Sequence, residues 1–164
     1  MAYDCFLKLG DIKGESQDSK HKDEIQVYSF SWGASQQHTS GHGTGLGAGK
    51  VNVSDFNFVK RTDKASPVLF QKCCTGEHIK EALVTLRKAG GSQVEYLKYK
   101  FTDVLISSVQ WSGSSGPAGD EVPTESVSIA FGKCEVDYQP QGKDGKPEGG
   151  SVHGGWNLSQ NVKA

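Results

Sequence analysis

The 164 residues suit one folded domain, and three Trp, seven Phe and five Tyr can supply a single core. Eighteen Lys and Arg against 19 Asp and Glu give a net charge of -1 without a basic run, which argues against a nucleic-acid partner. The N-terminal residues resemble no secretory signal, and no apolar run approaches the roughly 20 residues of a membrane span. We expect a soluble protein that folds in the cytoplasm without membrane insertion.

The N-terminal third favours β-strands. Residues 4–9 form a short apolar run, and residues 11–23 read as a polar loop. Residues 24–32 alternate, with Tyr28, Phe30 and Trp32 on one face, which predicts a single strand ending at Gly33.

Residues 35–50 are the most unusual segment, because five glycines alternate with other residues from Gly41 to Gly49. Long loops without regular structure are uncommon in compact domains and are usually functional or mobile. We therefore predict a long Gly-rich extended loop here, followed by a strand over residues 51–60.

One short helix is predicted from Pro67 to Thr75. Ser66 would be its N-cap, Pro67 suits the first helical position, and Gly76 offers a left-handed C-terminal stop.

Residues 78–88 are ambiguous on periodicity alone. Four apolar residues fit the helical i, i+3, i+4, i+7 spacing, namely Ile79, Ala82, Leu83 and Leu86. The spacing by itself favours a helix.

The C-terminal half again favours strands. Gly90 and Gly91 suit a hairpin turn. Strands are predicted over residues 94–101, 102–111, 125–138 and 156–162, with a Gly/Ser/Pro loop at 112–123 and turns at 139–150. Six to eight strands with one helix indicate an all-β barrel or sandwich closed by the helix.

The Gly-rich segment does not form a convincing phosphate site. Gly43, Gly45 and Ala48 satisfy the loose G-x-G-x-x-A pattern, but a strand rather than a helix is predicted to follow. A P-loop also fails, because Val51 stands where Ser or Thr is needed after Lys50. No cofactor is expected.

Metal and catalytic motifs fail as well. His38 and His42 are four residues apart without an intervening Glu, a helix or a third ligand. The acidic cluster before the first long strand reads as a solvated turn rather than a cation site; it comprises Asp11, Glu15, Asp18, Asp23 and Glu24. No nucleophile and base can be paired by spacing, so we expect neither a metal site nor an enzyme.

The four cysteines, Cys5, Cys73, Cys74 and Cys134, are expected to be reduced thiols. The adjacent pair has poor geometry for a mutual disulfide and the wrong spacing for a CxxC motif.

Several clusters together resemble the haemolysin-coregulated (Hcp) family, the tube proteins of bacterial type VI secretion. The resemblance covers essentially the whole chain. It rests on Gly14-Glu15-Ser16, Asp18, His21, Glu24-Ile25, Val27, Ser29-Phe30, Trp32-Gly33, Asp63 to Pro67, Leu69-Phe70, Cys74-Thr75-Gly76, His78-Ile79, Arg87 to Gly90, Tyr99, Phe101, Asp103-Val104 and Gly154 to Asn157.

The resemblance implies a compact β-barrel of two antiparallel sheets with one principal helix, spanning residues 1–164 as a single domain without a fused C-terminal effector domain. It makes residues 78–88 a strand, framed by Gly76 and Gly90-Gly91. It also implies six-membered rings that stack into a hollow tube, with a spike protein, a contractile sheath and effectors in the lumen as partners, and export without an N-terminal signal.

Within that family, the Gly-rich segment is interpreted as an arm that contacts adjacent subunits or the next ring. Its candidate contact residues are His38, Gly41, His42, Gly43, Gly45, Leu46, Gly47, Gly49 and Lys50. The alternative is a stand-alone small-ligand-binding β-barrel, which would need an apolar lumen within one subunit.

Overall fold

The computed structural model describes residues 3–39, 47–91, 93–119 and 121–164. These residues form the following elements: β1 (Tyr3–Leu9), β2 (Ile25–Gln26), β3 (Ser29–Ser31), β4 (Ala34–Thr39), β5 (Gly47–Val53), β6 (Phe56–Arg61), α1 (Ser66–Thr75), β7 (Ile79–Lys88), β8 (Glu95–Ser112), β9 (Thr124–Ala130), β10 (Lys133–Tyr138), β11 (Val152–Asn157) and β12 (Val162–Lys163). The predicted all-β class with one short helix is confirmed.

Two antiparallel sheets share the long strand β8. Sheet A has the order β12-β11-β10-β8-β7-β1-β2, and sheet B has the order β3-β6-β9-β8. Strand β8 passes from one sheet to the other at Asp103, where the backbone has a φ of 56°. The N–H of Gly132 donates to the carbonyl of Thr102 beside this bend.

The bend corrects the prediction of one long strand over residues 125–138. β9 pairs with the second half of β8 and β10 with the first half, and the interruption between them lies opposite the bend. Residues 125–138 therefore form two strands, one in each sheet.

The predicted strand over residues 24–32 is likewise two strands. The N–H of Val27 donates to Cys5 of β1, whereas the next N–H, of Tyr28, donates to Val59 of β6. The chain therefore changes sheets within one residue. Because β2 and β3 are successive rather than paired, the strand ladders of the described residues do not close into a continuous barrel.

Other boundaries also differ from the predictions. Residues 35–50 are not a loop throughout, because β4 and β5 form a hairpin; residues 40–46 lie outside the described part. The predicted strand over 51–60 is divided at residues 54–55, and that over 156–162 is replaced by β11, a turn and β12.

Residues 78–88 form strand β7, as the family resemblance implies and against the helical spacing. β7 lies between β1 and β8, and residues 84–87 are buried on both faces of the sheet. A strand buried on both faces loses the period-2 alternation that would have identified it.

Helix α1 ends as predicted, with Gly76 in the left-handed conformation at a φ of 69°. Its start differs, because Ser66 is already helical and Ala65 is the N-cap residue. The Ser66 hydroxyl instead accepts from the N–H of Asp63 at 2.9 Å and from Lys60 Nζ at 3.0 Å.

The space between the sheets is filled by side chains. Phe56, Phe58 and Phe101 are fully buried, and Trp32 packs edge-on against Phe101 at a ring-centroid distance of 5.2 Å. This filled interior argues against the alternative of a ligand-binding lumen within one subunit.

Burial also raises the pKa of the Cys5 thiol to about 12.

Candidate assembly surface

The loop between β1 and β2 is fastened to sheet A by a buried arginine. Arg87 in β7 donates from Nη1 and Nη2 to both carboxylate oxygens of Asp18, at 3.0 and 2.7 Å, and from Nη2 to Asp4 at 3.1 Å. The hydrogen bond from Arg87 holds the pKa of Asp18 well below its usual range. The guanidinium of Arg87 also lies 5.0 Å from the ring centroid of Phe6.

His21 fastens the same loop at a second point. Its ring stacks on Phe6 at 4.5 Å, and its two nitrogens lie 2.6 Å from Glu24 and 2.8 Å from Glu95. Burial raises the pKa of Glu95, but hydrogen bonds from His21 and Lys98 outweigh it and the net shift is downward.

These contacts correct the interpretation of the acidic cluster as a solvated turn for Asp18 and Glu24, whereas Asp11 and Glu15 are exposed as that interpretation predicts. Asp18 and Glu24 are bonded to Arg87 and His21, while Glu15 accepts from the N–H of Lys64 at 3.1 Å. The motif Gly-Glu-Ser-x-Asp-x-x-His-x-x-Glu therefore holds the loop between β1 and β2 against the rest of the fold. Among the described residues, no group of three or more His, Cys, Asp or Glu is arranged to bind a metal.

A second buried charge network lies under α1. Lys60 and Glu125 are both fully buried, with Lys60 Nζ 3.2 Å from Glu125 and 2.8 Å from Asp63. The remaining oxygen of Glu125 accepts from the indole N–H of Trp111 at 2.9 Å. This network joins α1 to sheet B.

The predicted contact segment forms an arm, which we define as the hairpin β4–β5. In the described part of the chain, β4 and β5 pair only with each other. The arm is held at its base by Gly33, whose N–H and carbonyl bond to Ser54 at 3.0 and 2.9 Å.

The structure describes four of the nine predicted contact residues. His38 lies in β4, and Gly47, Gly49 and Lys50 lie in β5. Gly49 and Lys50 are exposed. The other five, Gly41, His42, Gly43, Gly45 and Leu46, lie outside the described residues.

An apolar groove of about 570 Å³ separates the arm from strands β10 and β11. Half-buried Val51 and Val53 form its arm side, and its lining is entirely uncharged. The lining comprises Trp32, Ala34, Gln36, Gly49, Val51, Val53, Cys134, Val136, Gly154, Gly155, Trp156 and Asn161.

The groove is part of a wider uncovered flank of sheet A. Sheet A is seven strands wide and sheet B only four, and the outer strands β11 and β12, with the end of β10, are half-buried or exposed at the edge of sheet A. On this flank, Tyr138 pairs with Val152, and their exposed fractions are 46% and 62%. Adjacent exposed apolar side chains of this kind are typical of protein–protein contact surfaces.

The outer face of sheet B has a different chemistry. The register aligns hydroxyl and amide side chains across β3, β6, β9 and β8, because their apolar neighbours point into the core. This hydroxyl face comprises Ser29, Ser31, Asn57, Ser126, Ser128, Ser108 and Gln110, with Val59 among them and exposed Arg61 at its border. Ser128 donates to the side-chain oxygen of Asn57 within it.

Comparisons with known proteins agree with this architecture. The family model described as "Type VI secretion system effector, Hcp" matches residues 6–138. The protein named "Protein hcp1" from Pseudomonas aeruginosa strain PAO1 is 50% identical over 165 residues, covering 100% of both chains.

Two solved structures are also similar over nearly the full length. Hcp1 from Salmonella typhimurium has 38% identity and a TM-score of 0.82, with 100% of both chains covered. A structure described as a type six secretion system protein has 36% identity and a TM-score of 0.92, covering 99% of this chain and 100% of that one.

The chain therefore belongs to the Hcp family, and the resemblance found in the sequence is confirmed. It is a tube protein of type VI secretion, in a family of structural proteins that this system secretes. Among the described residues, no helix has the length and apolar character needed to cross a bilayer.

Sequence reasoning missed three features of this surface. The Lys60–Glu125 pair is distant in sequence and carries no motif. The groove depends on the relative placement of the arm and β11. The hydroxyl face had a readable signal, since Ser126 and Ser128 alternate with apolar residues in β9.

Proposed function

We propose that the chain assembles into six-membered rings that stack into a hollow tube, and that its role is mechanical rather than catalytic. The observation that carries this proposal is the uncovered apolar flank of sheet A beside the arm. A partner that covers this surface gains roughly 25 cal/mol for each Å² of apolar area it removes from water. Heterologous contacts between copies close into a ring when the rotation per subunit fits.

The hydroxyl face of sheet B suits the wall of the ring lumen. It is mainly hydroxyl and amide, with Arg61 at its border, and can exchange hydrogen bonds with water or with a passing protein. Effector proteins are then carried in the lumen, while the sheath surrounds the tube, the spike protein tips it, and export requires no N-terminal signal. The arm contacts an adjacent subunit or the next ring, through the nine residues predicted from the sequence.

Light scattering coupled to size exclusion tests the ring directly. We expect a particle near six times the 17.6 kDa subunit mass. A single-subunit mass throughout the micromolar range would contradict ring assembly.

A substitution in the hydroxyl face tests the lumen. Ser126 is exposed in β9, and Ser126→Glu would place six negative charges around the proposed lumen. We expect the ring mass to be unchanged and retention of a co-expressed effector to fall. Ser19→Glu, at an exposed position in the loop between β1 and β2, is the matched control. Equal retention by both variants would contradict this placement of the lumen.

A further inference from the structure

Helix α1 and the end of β8 present two exposed aromatic rings side by side. Phe70 is 50% exposed and Trp111 is 40% exposed, and their ring centroids are 5.7 Å apart. We call this pair the aromatic knob.

The knob is held in place by buried charge. The Trp111 indole N–H is bonded to Glu125, and fully buried Glu125 is in turn paired with Lys60. An exposed Trp fixed in this way loses little further freedom on binding. Preorganised aromatic anchors of this kind dominate the energetics of many interfaces.

The apolar groove offers a matching receptor. Gly154 lies in the middle of β11, and a Cβ built there meets nothing within 4 Å. A glycine inside a strand often marks a place where another group approaches closely. The groove volume of about 570 Å³ lies within the range that accommodates a drug-sized ligand, and so has room for two aromatic side chains.

The knob and groove of one chain are too far apart to meet. The knob lies on α1 and at the sheet-B end of β8, eight residues beyond the bend at Asp103, whereas the groove lies between the arm and strands β10 and β11 of sheet A. The occupant must therefore come from another molecule.

Charge matching favours a second copy as that molecule. The groove lining carries no charged residue, so burying a charged partner segment there would incur an uncompensated desolvation cost. The aromatic knob is an uncharged surface, and every copy presents one.

We propose that the aromatic knob of one copy binds in the apolar groove of the next, which makes this a head-to-tail contact of the assembly. The inference rests on the ring assembly proposed above and names the surfaces that form it. Each subunit then contributes a knob to one neighbour and a groove to the other.

Two single variants and their mixture test the contact. Phe70→Asp removes the knob but keeps the groove, and Gly154→Trp fills the groove but keeps the knob. We expect each variant alone to show a single-subunit mass by light scattering. An equimolar mixture should show a mass of two subunits and no more, because a third subunit would have to use a damaged surface.

Tyr28→Asp is the matched control, since Tyr28 is a 54% exposed aromatic residue outside both surfaces and should keep the wild-type mass. A thermal melt confirms folding, and Phe70→Ser with Gly154→Phe replace any variant that fails to fold. Wild-type mass for either variant, or a mixture that stays at one subunit, would overturn the inference. A wild-type protein that is itself a single subunit would instead overturn the ring proposal.

Discussion

Replacing Lys60 with Met should be strongly destabilising. The change leaves Glu125 fully buried without a cationic partner, and only the Trp111 N–H still bonds to it. Removing one partner of a buried ion pair costs about 3–5 kcal/mol. Because a whole domain is stable by only about 5–15 kcal/mol, this is a large share of the total.

The two members of the pair should respond unequally. Lys60 also bonds to Asp63 at 2.8 Å and to the carbonyl of Arg61 at 2.9 Å, so Glu125→Gln leaves it well satisfied. We expect about 1–2 kcal/mol for this variant, in the range of a weakened buried hydrogen bond. The double variant Lys60→Met with Glu125→Leu should recover part of the loss, since it removes both fully buried charges but leaves Asp63 without Lys60.

Urea denaturation followed by circular dichroism at one fixed protein concentration measures these differences. With an m-value of about 2 kcal/mol/M, Lys60→Met should lower the midpoint by about 1.5–2.5 M. Lys64→Met is the control, because the 55% exposed Lys64 side chain lies 3.9 Å from the carboxylate of Asp23. Losing this exposed ion pair should lower the free energy of unfolding by less than about 1 kcal/mol. A smaller loss for Lys60→Met than for Glu125→Gln would refute the reasoning.

Three further outcomes are expected. The hydrogen bond from Arg87 lowers the pKa of Asp18. It therefore stabilises the folded protein at pH values above the ordinary carboxyl pKa of about 3.9, and this stability is lost as the pH falls toward the lower pKa of the folded state. Asp18→Asn should therefore flatten the loss of stability between about pH 5 and pH 2 in acid titrations. Gly14→Ala should cost more than about 1 kcal/mol in the urea assay, because its Cβ would lie 2.6 Å from a main-chain oxygen, whereas Gly33→Ala meets nothing within 4 Å and should be close to neutral. Deleting residues 41–49 should reduce the mass seen by light scattering while leaving the thermal melt largely unchanged; an unaltered mass would contradict a role for the arm in assembly.

The sequence was sufficient for the fold class and for the family. Strand periodicity, the Pro67 start and the Gly76 stop are local signals, because they depend on backbone preferences that each residue carries with it. The motif containing Asp18 and His21 indicated the family from the sequence, but the sequence did not show what these side chains do. In the structure they bond to Arg87 and Glu95, which come from distant parts of the chain, and so hold the loop in place.

The tertiary structure decided how the strands are shared between sheets. The change of sheet at residues 27–28 and the bend at Asp103 depend on which strands lie nearby, so alternation alone reads through both of them. Strand β7 fitted a helical spacing because its burial on both faces removes the alternation of apolar and polar residues.

The assembly surface likewise depends on tertiary placement. Exposure of Tyr138 and Val152 follows from a sheet that is wider than its cover, and the groove exists only where the arm approaches β11. By itself, the sequence determined that this is a β-rich Hcp-family chain with an unusual Gly-rich arm. Only the packing of distant strands decided which apolar side chains enter the core and which remain available to another copy.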